Sequence, residues 1–176
     1  AVREDTARRH ACLSWNDTGK KPGHSRHGNP PPMEIPARFH FCHRVEVAFA
    51  DTDLAGIVHF ANFLRYAENT EHAFLRSVGL PVHTTDGARQ QGWPRLAVAC
   101  DFHRPARFGE TLRVALRGQE VRTHSLTYGF WIFGPSSGPT EPVASGRCSI
   151  VHVSLDTVTR EIRKAPVPTA LRAALE

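Results

Sequence analysis

The order of its apolar patterns is what most constrains how this chain can fold. A single stretch with helical spacing contains Phe60, Phe63, Leu64, Ala67, Phe74, Leu75 and Val78. One alternating pattern precedes this stretch and four follow it, at residues 44–49, 96–102, 112–116, 126–132 and 143–153. Short turns join the later patterns, and antiparallel strands accept such turns whereas parallel strands need a crossover. The order predicts an α+β fold in which an antiparallel sheet packs on one long helix.

The ends of these elements are predicted from the residues that begin or break them. Asn62 is a predicted N-cap of the helix, and Gly79 is a predicted end of it. Residues 81–93 have no regular pattern, which indicates a loose connection. The apolar phase of the last pattern changes near Ile150, which predicts a bulge, and residues 167–175 predict a short terminal helix.

A chain of 176 residues suits one domain with flanking segments. Residues 1–36 hold five of the thirteen prolines and no apolar periodicity, so we predict a disordered leader there. Met33 is the only methionine, and we hypothesise that it is the natural start. The folded domain is predicted over residues 37–160, with a tail or short helix over residues 161–176.

Composition excludes several classes of protein. The formal net charge of +5 is spread along the chain without clustering, which argues against a nucleic-acid partner. The sequence contains no apolar run long enough for a membrane span. The four cysteines have no CxxC spacing and no HExxH pattern is present, so we expect reduced thiols, no metal site and a cytoplasmic location.

The most informative segment is the loop between the first strand pattern and the helix. The strand pattern ends at Phe49, which is predicted to alternate onto the buried face. Asp51, Asp53 and Gly56 follow, just before the helix begins. A carboxylate beside the free N–H groups of a helix N-terminus suits acyl transfer, because one group activates a nucleophile and the other stabilises an oxyanion. The alternative is that either aspartate only caps a turn or the helix.

The same loop carries a resemblance to a known family. Residues 49–63, with the sequence FADTDLAGIVHFANF, resemble the signature of the 4-hydroxybenzoyl-CoA thioesterase family. These are acyl-CoA thioesterases of the hot-dog fold, and they include the branch encoded beside the Tol–Pal system. The resemblance continues through residues 68–79 and through RPARFGE at residues 104–110, and it covers roughly residues 40–155.

The resemblance implies a fold, a mechanism and an assembly. The fold would be a five- to six-stranded antiparallel sheet wrapped around the long helix. Asp53 would act as nucleophile or as general base for water, while Asp51 would order the loop. Substrate and oxyanion would meet the segment at the helix start, namely Gly56, Val58, His59, Phe60 and Ala61. The protein would form a homodimer or homotetramer with the site at a subunit boundary, and it would need no cofactor, since coenzyme A is part of the substrate.

Four further side chains keep two interpretations each. His59 is an acid or base, or else it lines the pocket or faces solvent; the Tol–Pal branch usually carries its His one position later, where this chain has Phe60. Glu71 falls on the apolar stripe of the helix, so it is either catalytic or paired with an Arg or with backbone N–H. Arg104 and Arg107 bind CoA phosphates or lie in a solvated turn.

The function predicted from these residues is hydrolysis of an acyl-CoA thioester to free acid and CoA. The main alternative is a non-catalytic protein of the same fold that binds acyl-CoA or an acyl carrier, because a fold does not guarantee chemistry. Asp53 distinguishes the two, since a binding protein has no need of a carboxylate at that position. A hot-dog dehydratase is a weaker third possibility, and the sequence leaves the acyl group open as short, long or aromatic.

Overall fold

The computed structural model describes residues 33–138 and 140–176. One long helix and one short helix accompany nine strands in these residues. The elements are β1 (Phe41–Glu46), α1 (Phe60–Ser77), β2 (Thr84–Asp86), β3 (Arg89–Gly92), β4 (Arg95–Phe102), β5 (Thr111–Val121), β6 (Ser125–Phe133), β7 (Ala144–Val151), β8 (Val153–Asp156), β9 (Ile162–Lys164) and α2 (Thr169–Ala174).

The main sheet is antiparallel and has five strands in the order β1–β5–β6–β7–β4. Its inner face packs against α1, and the alternating residues predicted for the strands supply that face. On β6, for example, Leu126, Tyr128, Phe130 and Ile132 all belong to the buried core. The predicted α+β architecture, an antiparallel sheet on one long helix, is therefore confirmed.

Helix α1 begins and ends through different kinds of contact. His59, not the predicted Asn62, is the N-cap, and its Nδ1 accepts a hydrogen bond from the Ala61 N–H at 3.3 Å. Gly79 lies just beyond the helix with a φ of 76°, and the next N–H, of Leu80, donates to the carbonyl of Leu75 at 2.9 Å. This is a Schellman termination. Neither helix in the described residues has the length and apolar character needed to cross a membrane.

A second sheet lies where the sequence indicates only a loose connection. Its strands follow the order β2–β3–β8–β9, and β3 pairs with β8 in the register Arg89↔Asp156 to Gly92↔Val153. The prediction of a loose segment over residues 81–93 is wrong. The short strands β2 and β3 are polar, so they carry no apolar alternation, and their order depends on backbone pairing with β8, which is distant in sequence.

The chain passes from one sheet to the other at His152, between β7 and β8. This imidazole is buried and stacks on Trp93, with ring centroids 4.4 Å apart. The pairing of β4 with β7 shifts by one residue at Leu96, which lies between the pairs Arg95↔Ile150 and Ala97↔Ser149. A bulge is therefore present near Ile150 as predicted, but the extra residue belongs to the neighbouring strand.

Both ends of the described chain pack onto this framework. Met33, Ile35 and Phe39 lie against Trp131 and its neighbours on the outer face of the main sheet. The predicted leader, residues 1–36, lies outside the described residues except for its last four. At the other end, α2 falls within the residues predicted for a short helix, and its Leu171 is fully buried.

Candidate active site

The loop between β1 and α1 makes a tight turn. Contacts with the helix start and with a neighbouring turn hold it in place. Isolated bridges pair Thr52 with Val58, and Ile57 with Arg107. At its tip the Gly56 N–H donates to a carbonyl three residues back at 2.9 Å, and Gly56 has a φ of 71°, in the left-handed region that favours glycine. The sequence therefore places a sharp turn immediately before the helix.

Asp51 fastens this loop to α1. The residue is 5% exposed. One carboxylate oxygen forms an ion pair with Arg65, and the other accepts the Tyr66 hydroxyl at 2.8 Å. The Asp51 carbonyl accepts the Asn62 side-chain amide at 2.7 Å and the His59 N–H at 2.9 Å. Burial, together with the hydrogen bond to Asp51, raises the pKa of Tyr66. These contacts suit a residue that orders the loop.

Asp53 lies in a different environment although it is only two residues away. It is exposed, and its Oδ1 accepts the Ala55 N–H at 2.8 Å in an Asx turn. No other hydrogen bond to its carboxylate is formed by residues 33–138 and 140–176. Its Oδ2 therefore remains available for a proton or a carbonyl carbon.

The backbone N–H groups around the helix start differ in whether they already have a hydrogen-bond acceptor. The N–H groups of Gly56, Val58 and His59 donate to backbone carbonyls at 2.9, 2.8 and 2.9 Å. The Ala61 N–H donates at 3.3 Å to the His59 ring. The Phe60 N–H has no acceptor among the described residues. Of the five positions predicted to meet the substrate, Phe60 thus has the free donor, and Ala61 has the weakest existing bond.

His59 contributes to this site through its ring as well as its backbone. The ring is exposed, lies 4.4 Å from the ring of Phe60, and uses Nδ1 to cap the helix. An acceptor Nδ1 requires the neutral tautomer with its proton on Nε2. The ring therefore has a structural task at Nδ1, and Nε2 is the nitrogen left for a substrate.

Glu71 belongs to a separate cluster. It lies about 16 Å along α1 from Phe60 at a rise of about 1.5 Å per residue. Its buried carboxylate is paired with Arg95 and accepts the Tyr128 hydroxyl. Burial and the Glu71 charge raise the pKa of Tyr128. Burial lowers the pKa of Arg95, but the interaction with Glu71 outweighs this effect, so the pKa of Arg95 is also raised. Pairing with an Arg belongs to one of the two predicted interpretations of Glu71, and the structure shows such a partner within the same chain.

A groove of about 380 Å³ runs between α1 and the inner face of the sheet. Ala61 lines it near the helix start, and Arg95 and Tyr128 line it at the Glu71 cluster. Its remaining walls include the apolar side chains of Leu64, Ala67, Val98 and Phe130. The groove therefore reaches from Ala61 in the first turn of α1 to the Glu71 cluster, and it has the size of a small-molecule site. Its lining does not include Asp53, His59 or Phe60.

Comparison with known proteins identifies this arrangement. Residues 47–175 match the family described as the thioesterase-like superfamily. The chain belongs to this superfamily. The hot-dog thioesterase fold predicted from the loop motif is the fold that its relatives share, and the chain is a thioester hydrolase.

Individual relatives give the degree of similarity. A 1,4-dihydroxy-2-naphthoyl-CoA hydrolase from a Synechococcus strain is 33% identical over 138 residues, which cover 74% of this chain and 85% of the relative. A putative esterase of Aquifex aeolicus is 32% identical over 95 residues, covering 53% of this chain and 72% of the relative. The crystal structure of a 1,4-dihydroxy-2-naphthoyl-CoA thioesterase from Synechocystis superposes with a TM-score of 0.62 at 25% identity, covering 77% and 94% of the two chains.

The two arginines predicted for this thioesterase's CoA phosphates lie in the turn between β4 and β5. Arg104 is ion-paired with Glu141 at 2.8 Å. Arg107 is exposed, pairs through its backbone with Ile57 of the loop between β1 and α1, and forms no ion pair within the described residues. Of the two arginines, Arg107 is therefore the one whose charge is not engaged in an ion pair within the described residues. No group of three or more His, Cys, Asp or Glu side chains in those residues is arranged to hold a metal ion.

An apolar surface beside the thioesterase loop differs from the sequence prediction. Phe49, predicted on the buried face of a strand, is 76% exposed in a short 3-10 turn and packs edge-on against Phe108. Phe60 and Phe102 form a similar exposed pair. Sequence alternation identifies these residues as apolar, but it does not distinguish a core position from a surface where strand β1 has already ended. A contiguous exposed apolar patch typically marks an interaction site.

Proposed function

We propose that the protein hydrolyses an acyl-CoA thioester to a free acid and CoA, with Asp53 as nucleophile or general base. The observation that carries the proposal is the Asp53 carboxylate, with an unused oxygen, on the loop that leads into the free Phe60 N–H at the start of α1. A carboxylate and an oxyanion donor on the same short segment provide the two functions that acyl transfer needs.

As general base, Asp53 takes a proton from water while the water oxygen adds to the thioester carbon. The carbonyl oxygen becomes an oxyanion, which the Phe60 N–H and the weakly engaged Ala61 N–H stabilise. Collapse of the intermediate breaks the C–S bond, and the CoA thiolate takes up the proton. As nucleophile, Asp53 instead forms an anhydride by displacing the thiolate, and water then hydrolyses the anhydride to restore the carboxylate. Neither route requires a cofactor.

For the acyl group we propose a hydroxylated aromatic acid, the class to which the substrates named for several relatives belong. The apolar walls of the groove suit a ring system, and the polar groups of Arg95 and Tyr128 line the same groove. The loop motif, similar to that of the 4-hydroxybenzoyl-CoA branch, supports the same class. Arg107 is proposed to contact the CoA phosphates, with Arg104 held by Glu141.

We further propose a cytoplasmic homodimer or homotetramer, with the site at the subunit boundary. Strand β4 is at the edge of the main sheet, where Leu96, Val98 and Phe102 are exposed. Pairing with a second copy would cover this edge and would enclose the exposed Asp53 loop. The free thiols of Cys42, Cys100 and Cys148 are consistent with a reducing compartment.

The first test is thiol release from a panel of acyl-CoAs by the wild type and by Asp53→Asn. We expect the variant to fold normally and to lose at least about 100-fold in kcat, the scale of losing one key electrostatic group. Asp156→Asn is the matched control, because Asp156 also accepts an N–H two residues on, at 2.9 Å, but in the second sheet.

Equal thiol release by Asp53→Asn and the wild type would contradict the role of Asp53 and would direct attention to His59 and Glu71. Binding of acyl-CoA without release by the wild type would favour the non-catalytic alternative.

A further inference from the structure

A charged cluster lies beside the groove, whose lining includes two of its members, Arg95 and Tyr128. Glu71 on α1 is 2% exposed, and both of its carboxylate oxygens lie 2.8 Å from Nη1 of Arg95 on β4. The Tyr128 hydroxyl on β6 donates to the same carboxylate, and Nη2 of Arg95 donates to Glu68 at 3.0 Å. A buried carboxylate is strongly unfavourable unless it is paired and hydrogen-bonded. These contacts therefore hold the end-wall cluster, Glu71, Arg95 and Tyr128, in one arrangement across three elements.

The end-wall cluster lies at a defined distance from the helix start. Ala61 lines the groove in the first turn of α1, and Glu68 lines it beside Arg95. They are seven positions apart on the helix, which is about 10 Å. An acyl group whose carbonyl is held at the helix start therefore has roughly 10 Å of largely apolar groove before it reaches the cluster.

Behind Tyr128 lies a second, smaller space inside the core. It has a volume of about 10 Å³, and its lining includes Glu71 and the apolar side chains of Phe74, Leu116 and Ile150. Tyr128 lines both this space and the groove. Tyr128 is therefore the residue that the two linings share.

We infer that the end-wall cluster limits the length of the acyl group, with Tyr128 as the specificity-determining residue; the inference rests on the proposed acyl-CoA function. A ring system or a short chain ends before the wall. A longer alkyl chain meets the ring of Tyr128 and the charged groups of Arg95 and Glu68, whose hydrogen-bonding groups it cannot satisfy. Removing the ring joins the groove to the apolar space behind it.

The test uses S-alkyl-CoA thioethers of increasing chain length, with binding to the full chain measured by calorimetry. In the wild type, affinity is expected to rise by up to about fourfold per methylene and then to stop rising when the chain reaches the wall. In Tyr128→Ala the rise should continue to longer chains. Tyr128→Phe is the matched control, since it keeps the ring and should stop at the wild-type length.

The outcomes separate this inference from the proposed function, because thioethers bind without being hydrolysed. Absence of thiol release from acyl-CoAs, with the length limit intact, would contradict the hydrolase proposal alone. The same limit in Tyr128→Ala as in the wild type would overturn the inference, as would a wild-type affinity that is undetectable or rises without limit. If Tyr128→Ala does not fold, Tyr128→Leu should give a smaller shift, and no shift in that variant would be equally decisive.

Discussion

At the scale of single residues, two aspartates separated by one position have opposite surroundings. Asp51 is buried and fully engaged with Arg65 and Tyr66, while Asp53 is exposed with a single backbone contact. The difference separates a residue that maintains the loop from one whose carboxylate is available for chemistry. Substitution at each should therefore affect a different property.

Asp51→Asn is expected to destabilise the protein by about 2 kcal/mol, because the Tyr66 hydroxyl and Arg65 lose a charged, largely buried acceptor. Urea denaturation measures the change in the free energy of unfolding. A double-mutant cycle with Tyr66→Phe should give a favourable coupling energy between Asp51 and Tyr66. Asp53→Asn is the control and should unfold at the wild-type midpoint. Equal destabilisation by both Asn variants would contradict the assignment.

The cysteines on β1 and β4 should differ in reactivity. Cys42 is exposed, whereas burial, with the nearby charge of Asp101, raises the pKa of Cys100 to about 12. At about pH 8 iodoacetamide should therefore modify Cys42 well before Cys100, as followed by peptide mass spectrometry, because the thiolate is the reactive form.

The same pKa has a consequence for stability. Its folded-state value lies above the ordinary value of 9.0, so the contribution of the neutral Cys100 thiol is fully present below pH 9 and is lost as the pH rises toward 12. Cys100→Ala should flatten this alkaline loss of stability. Labelling of Cys100 as fast as Cys42 in the folded protein would refute both expectations.

At the scale of elements, contacts at both ends of α1 fix the helix onto which the Asp53 loop leads. The helix is capped by His59 at the loop and by the Gly79 turn at the other end. Asp51 adds tertiary contacts to its first two turns. The free N–H of Phe60 is thus presented by a helix whose position is fixed at both termini.

Gly79→Ala should lower the free energy of unfolding by about 1 kcal/mol, since a Cβ is disfavoured at its φ of 76° although no atom lies within 4 Å of that Cβ. Gly92→Ala is the matched control, because its Cβ also has nothing within 4 Å and its backbone is extended in β3. Thermal unfolding compares the two variants. A Gly79→Ala variant as stable as Gly92→Ala would show that the backbone conformation carries no penalty.

At the scale of the whole molecule, the edge strand β4 has exposed apolar side chains that a second copy could cover. Edge strands with exposed apolar side chains are prone to pair with another chain. Leu96 is 62% exposed on this edge, and it lies outside the groove lining. A dimer formed here would bring a second copy close to the Asp53 loop.

Leu96→Glu is therefore expected to halve the mass in solution relative to the proposed wild-type dimer, as measured by light scattering, and to reduce thiol release. Val158→Glu serves as control, because Val158 is comparably exposed but lies in the turn of the second sheet. A wild type that is monomeric and fully active, or a Leu96→Glu variant of unchanged mass, would exclude this edge as the interface.

The sequence by itself determined those features that depend on residues close together in the chain. The inner face of β6, the end of α1 at Gly79 and the turn at Gly56 depend on residues that are neighbours along the chain, so their spacing predicts them. The motif in the loop likewise indicated the thioesterase fold, since it occupies one continuous segment. The position of Asp53 beside a helix start follows from the same continuity.

Only the tertiary structure decided which groups are engaged and which are free. The Arg95 partner of Glu71 is 24 residues away in sequence, and the second sheet depends on β8 pairing with the polar strand β3. Within the described residues the Phe60 N–H is free, whereas the Val58 N–H donates to the distant carbonyl of Ala106. Such contacts join residues far apart in the chain, and the energy of a buried charge or donor depends on what surrounds it in space. Spacing along the sequence carries no information about those surroundings.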